Sequence, residues 1–167
     1  MSLTSDKHRL ELERFAELLS REAYELQLVP AAGEVPYDTL MVKVDLCWLE
    51  LSFLPGLEDE LDDVSILQCF VALSEQTPDE KLIIKINANL PIGSFGLLEN
   101  PKVLFFKHNS MIPNDNPVAG SQIVHELVAM TGYLIGVFSE PLIKIASGEI
   151  TSEQAMSDMP FRSVIGE

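Results

Sequence analysis

Apolar residues recur at spacings of three and four near the N-terminus, at Leu12, Phe15, Leu19, Ala23 and Leu26, while Glu11, Arg14, Glu17, Arg21 and Glu25 fill the other side. That period predicts an amphipathic helix of about six turns at 3.6 residues per turn. Ser5 is placed to cap it, Asp6 suits the positive end of the helix dipole, and Pro30 with the turn-like residues 33–36 ends it. Over residues 39–54 the period drops to two. Leu40, Val42, Val44 and Leu46 share one face, but from Leu49 onward Leu49, Leu51 and Phe53 become the apolar set. A slip of phase near Cys47 and Trp48 implies a bulge or a break into two strands, because one extra residue turns every later side chain to the opposite face. Residues 64–73 read as the returning strand of a hairpin with an acidic tip.

Thr77-Pro78-Asp79-Glu80 has the form of a capping box with proline at the first helical position, and predicts a helix over 77–90 that Pro91 and Gly93 stop. At 100° per residue Leu82, Ile83, Ile86 and Leu90 share one face, and Ile84 and Ala88 fall roughly opposite. Residues 94–98 and 102–107 form a second expected hairpin around Glu99-Asn100-Pro101, and a polar loop over 109–117 leads to an apolar helix over 118–138. In that helix Ile123, Leu127, Met130, Leu134, Val137 and Phe138 make the expected core stripe, and His125, Ala129, Gly132 and Gly136 lie opposite. Pro141 restarts a short helix to Ser147, and Thr151-Ser152-Glu153-Gln154 is a further capping box. Strands clustered into hairpins between helices predict an α+β fold with an antiparallel sheet of about five strands, as one domain over residues 1–167.

The order α-β-β-β-α-β-β-α resembles the type III secretion chaperone-like fold. Residues 77–107 are similar to its YbjN-like family in three places. These are Asp79-Glu80-Lys81-Leu82-Ile83-Ile84-Lys85-Ile86-Asn87, then Asn89-Leu90-Pro91-Ile92-Gly93-Ser94-Phe95-Gly96-Leu97, then Lys102-Val103-Leu104-Phe105-Phe106. The resemblance implies a small acidic bacterial protein, usually dimeric, that binds another polypeptide and has no enzymatic activity. It also implies that the second helix and the strand after it make the dimer contact, which nominates Ile84, Ala88, Ile92 and Phe95.

Charge narrows the range of partners. The 167 residues carry 11 basic and 26 acidic side chains, a net charge of −15, so nucleic acid and anionic lipid are poor partners. With 47% apolar residues the chain has ample material for a core. Residues 34–80 hold twelve acids and a single base, Lys43. Glu58, Asp59, Glu60, Asp62 and Asp63 form the expected partner-facing loop, suited to a basic or amphipathic polypeptide. Charges start at Asp6 and Lys7, so no secretory leader is expected. The longest uncharged runs, 86–98 and 127–139, are thirteen residues each, so no membrane span is expected either. Cys47 and Cys69 then read as buried thiols in a reducing cytoplasm.

Motifs for chemistry are not found. His8, His108 and His125 are far apart, and His125-Glu126 has no second histidine at the zinc-helix spacing. Residues 58–63 lack the glycine and terminal glutamate of a calcium loop, and Gly93-Ser94-Phe95-Gly96 lacks the lysine of a phosphate loop. No metal, cofactor or catalytic residue is expected. The expected function is a homodimeric, non-enzymatic protein-binding or chaperone-like module. The alternatives are a small-molecule sensor with His125 and Tyr133 in an apolar cavity, or an unrecognised hydrolase whose residues converge from distant positions.

Overall fold

The computed structural model describes residues 3–33, 36–55, 63–76, 78–99 and 101–154. Its elements are α1 (Leu3–Ser20), β1 (Leu26–Val29), β2 (Thr39–Val44), β3 (Cys47–Phe53), β4 (Val64–Ser74), α2 (Glu80–Asn87), β5 (Ser94–Glu99), β6 (Lys102–Pro113) and α3 (Pro117–Ala146). The strands form one six-stranded sheet in the order β1-β2-β3-β4-β6-β5, so the fold is α+β. The chain divides into two compact units, residues Met1–Val71 with Asn109–Met130, and Ala72–His108 with Thr131–Glu167.

In the first unit α1 buries Leu12, Phe15 and Leu19 completely. Its outer side is laced by Arg9–Glu13 and Arg21–Glu17 contacts at 3.2 and 2.9 Å and by an Arg14–Glu11 pair. The helix is shorter than its periodicity suggests. It ends at Ser20, Ala23 takes a left-handed φ of 63°, and Leu26 belongs to a strand. Leu26 and Leu28 pair with Val42 and Leu40 of β2, and this strand contact overrides the helical stripe. The expected five strands therefore become six. Ser5 lies inside α1 rather than capping it, because the helix starts at Leu3.

The slip at Cys47 is a break into two strands. Val44 pairs with Cys47 across a two-residue turn in which Asp45 has φ 54° and Leu46 is 88% exposed. β3 returns antiparallel to β4, with Leu51 opposite Cys69 and Phe53 opposite Leu67, all four buried. The Asn114 amide donates to the Asp63 carbonyl at 2.8 Å, pairing the start of β4 with the end of β6 and running them antiparallel. β6 thus extends to Pro113, and the polar loop expected from 109 is strand as far as that residue. Both helical segments of this unit lie on the same side. His8 of α1 stacks on Phe53 with ring centroids 4.5 Å apart, and Gly120 of α3 packs beside Ile112 and Arg14.

In the second unit α2 begins later than the Thr77 box implies. Asp79 is the cap, accepting from the Lys81 amide at 3.2 Å, so Pro78 precedes the helix. Thr77 lies outside the described residues. The helix closes at Asn87 instead of Leu90, where the Asn89 amide bonds the Ile86 carbonyl and the Asn89 side chain bonds the Lys85 carbonyl. These bonds satisfy carbonyls that an α-helix leaves open at its end. β5 and β6 pair from Ser94↔Lys107 to Glu99↔Lys102, and Phe95, Phe106 and Phe138 meet edge to face with centroids 5.3 and 5.9 Å apart.

α3 is one helix with Pro141 inside it, not two, and is 30 residues long. By length and composition alone it is apolar enough to cross a membrane, a test that a buried core helix also passes. A third of its most apolar window is buried within the protein. The buried positions, Val124, Leu127, Val128, Thr131, Leu134, Ile135, Phe138 and Leu142, form one stripe, as in a helix laid on a sheet. Met130, expected in that stripe, is 40% exposed, and Ile123 and Val137 are only partly buried. The capping box at Thr151 forms, with the Thr151 amide on Gln154 Oε1 at 2.8 Å and the Gln154 amide on Thr151 Oγ1 at 3.2 Å.

A Cβ added at Gly136 meets nothing within 4 Å. Gly136→Ala should therefore raise stability by about 1 kcal/mol through helix propensity alone, read as a higher denaturant midpoint with an unchanged slope.

Candidate functional site

The nominated contact residues are set by how α2 is held. Leu82, Ile83 and Ile86 are buried, and Asn87 clamps the next strand: its side-chain amide donates to the Phe95 carbonyl and its carbonyl oxygen accepts from the Phe95 amide, both at 2.8 Å. One side chain thus pairs with β5 as a neighbouring strand would. The chain reaches that position through Gly93, whose φ of 65° favours glycine and where a Cβ would lie 2.4 Å from the Phe106 ring and 2.8 Å from the Lys107 carbonyl. The Leu-Pro-Ile-Gly-Ser-Phe run is the local solution to this tight return.

With its inner side fixed, α2 turns Ile84 outward at 68% exposure, and Ala88 is exposed one turn later. Ile92 is partly exposed. Phe95 is not available to a partner: it is 2% exposed, between Phe106 and Phe138, because β5 points its alternate side chains into the core. The structure keeps Ile84 and Ala88 as one surface and removes Phe95 from it. Of the acidic loop, Glu58, Asp59, Glu60 and Asp62 lie outside the described residues, and Asp63 is exposed at the head of β4.

Other candidates for chemistry are dispersed. His125 Nε2 lies 2.9 Å from Glu22 Oε2, while Tyr133 is 55% exposed. Among the described residues no three His, Cys, Asp or Glu side chains come together as a metal site would require. Cys47 is partly buried and Cys69 fully buried, and burial, aided by the Asp45 charge, pushes the Cys47 thiol up from its ordinary range. Burial holds His108 below the usual histidine range. A depression of about 360 Å³ beside α2 is lined by Asp79, Lys81, Leu82, Lys85, Ser152 and Glu153. Its walls carry both signs of charge and one apolar side chain.

One titratable group was missed by motif reasoning. Glu50, in the middle of β3, is pushed above the ordinary carboxylate range by burial. Alternation marks it as a face residue of a strand, and the register sets it between Met41 and Phe70 across the sheet. No family model matches this chain, and no curated protein matches it.

Two outcomes test these local arguments. Asn87→Ala removes both bonds to Phe95 and should cost about 1–3 kcal/mol in chemical denaturation. Glu50→Gln should stabilise the fold at pH 7, by less than about 1 kcal/mol because the group remains half exposed. The sign follows from the raised pKa: ionised Glu50 disfavours the folded state. The gain is complete above the folded-state pKa and vanishes as pH falls through it towards the unfolded value, which melting curves across pH resolve.

Proposed function

We propose that the protein is a non-enzymatic protein-binding module of the YbjN-like, type III secretion chaperone-like kind. It acts as a homodimer in the cytoplasm on a basic or amphipathic polypeptide. The observation that carries this reading is the divided character of α2. Its inner side is spent on the core, yet its outer side presents a 68% exposed isoleucine followed by an alanine one turn later. A single domain has no need of that second apolar side, whereas a two-fold seam does. The net charge of −15 supports a basic partner by steering its approach.

Sedimentation tests the dimer. Wild type should sediment as a dimer at high micromolar concentration, and Ile84→Glu should sediment as a monomer with an unchanged melting profile after dilution, since a charge at an apolar seam is unpaired. Wild type that stays monomeric in this range overturns the seam.

A further inference from the structure

The side of β2, β3 and β4 opposite α1 carries an arrangement that core packing does not use. Core-facing side chains on these strands, Leu40, Val42, Leu49, Leu51, Leu67 and Cys69, are fully buried. The alternate set holds a buried Thr39–Ser52 hydroxyl pair, hydrogen-bonded at 2.8 Å, at one end, and beside it Met41, Lys43, Trp48, Glu50, Ile66 and Phe70 are only partly exposed. The register gathers these residues: Lys43 opposes Trp48, Met41 opposes Glu50, and Glu50 opposes Phe70. Opposed side chains in an antiparallel pair stand about 4.5–5.5 Å apart at Cβ, so the Glu50 carboxylate is flanked by a thioether on one side and a ring on the other.

The one cation on these strands is already engaged. Lys43 Nζ sits 4.9 Å from the centre of the Trp48 ring and forms no ion pair with Glu50 among the described residues. Glu50 is thus a partly desolvated carboxylate beside Met41 and Phe70 with neither an ion-pair nor a hydrogen-bond partner among the described residues. Covering it with an apolar side chain would complete its desolvation without compensation, which is unfavourable, whereas covering it with an ammonium or guanidinium supplies the missing charge. A second copy of this chain would bring an identical carboxylate to the same surface.

We propose that this face is the docking surface for the Lys- or Arg-bearing segment of the polypeptide partner. Glu50 receives the cation, and Met41, Trp48 and Ile66 receive apolar side chains around it. The assignment rests on the protein-binding reading above but is independent of the α2 seam. It selects a partner with a basic residue inside an apolar stretch, and it rejects an apolar or acidic segment at the same place.

Trp48 is the single tryptophan of the chain and so reports directly on this face. The probe is an 18-residue amphipathic Leu/Lys peptide carrying a fluorophore, with its Leu/Gln counterpart as control, in 0.15 M salt to screen long-range attraction to the acidic surface. Binding of the Leu/Lys peptide, followed by anisotropy, should be saturable and should shift Trp48 emission with the same midpoint, while the Leu/Gln peptide binds at least about tenfold more weakly. Glu50→Gln should weaken the Leu/Lys peptide about tenfold while its melting temperature is not lowered. Saturable binding that leaves Trp48 emission unchanged, or an affinity for Glu50→Gln within twofold of wild type, overturns this face while leaving the protein-binding reading in place. No binding of the Leu/Lys peptide overturns both. A concentration-dependent shift of Trp48 emission without peptide assigns the face to a second copy and overturns the proposed occupant.

Discussion

In the first unit α1 packs on one face of the sheet, and that constraint governs most of what β2 and β3 do with their side chains. A strand shows alternate residues to opposite faces, so every residue placed under a helix leaves a neighbour on the uncovered side. Leu40, Val42, Leu49, Leu51 and Phe53 are buried on the face of α1, and Thr39, Met41, Lys43, Trp48, Glu50 and Ser52 take the other. Antiparallel sheets tolerate a wet face, and most fill it with polar residues. Here that side mixes the buried Thr39–Ser52 pair with Met41, Trp48 and Ile66 around one carboxylate, so apolar and polar residues share it.

The second unit meets the same constraint by a different device. β5 is an edge strand, six residues long, with β6 on one side only. Asn87 pairs with the free side of Phe95 through both polar atoms of its amide, which anchors α2 to the edge and blunts it against pairing with another chain. In this hairpin Phe105 lies over Gly96, its cross-strand partner, where an added Cβ would fall 2.4 Å from the ring. The ring occupies the space that a side chain on β5 would take, which ties the glycine to the aromatic opposite it. The rotation that buries Leu82, Ile83 and Ile86 then leaves Ile84 and Ala88 nowhere to point but outward.

Electrostatics adds little to holding the fold together and more to what can approach it. The ion pairs of α1 and α3, Arg9–Glu13, Arg21–Glu17 and Glu140–Lys144, are four residues apart on exposed helix sides, where water and salt screen them and each contributes little. Against a net charge of −15 they are minor neutralisations. Glu50 differs because its cost is local desolvation and not repulsion over distance, so a cation that reaches it gains more than one that meets the surface elsewhere.

The α+β class, the two hairpins, the break at Cys47, the two faces of α2 and the Thr151 capping box were legible from residue order, because each depends on neighbours within a few positions. Period, turn residues and reciprocal hydrogen bonds carry that information without reference to the rest of the chain. The end of α1 was not legible, since Ala23 and Leu26 continue a helical stripe and only pairing of Leu26 with Val42 turns that segment into a strand. Nor was the start of α2 at Asp79, the extension of β6 to Pro113, or the passage of α3 through Pro141. The β6 extension depends on a bond supplied from outside the segment, the Asn114 amide to the Asp63 carbonyl. The burial of Phe95 and the exposure of Met130 have the same origin: a period names two faces, and only the packed neighbours decide which of them meets water. Glu50 shows the limit most clearly, because nothing in its own strand distinguishes it from an ordinary surface carboxylate until Met41 and Phe70 arrive beside it across the sheet.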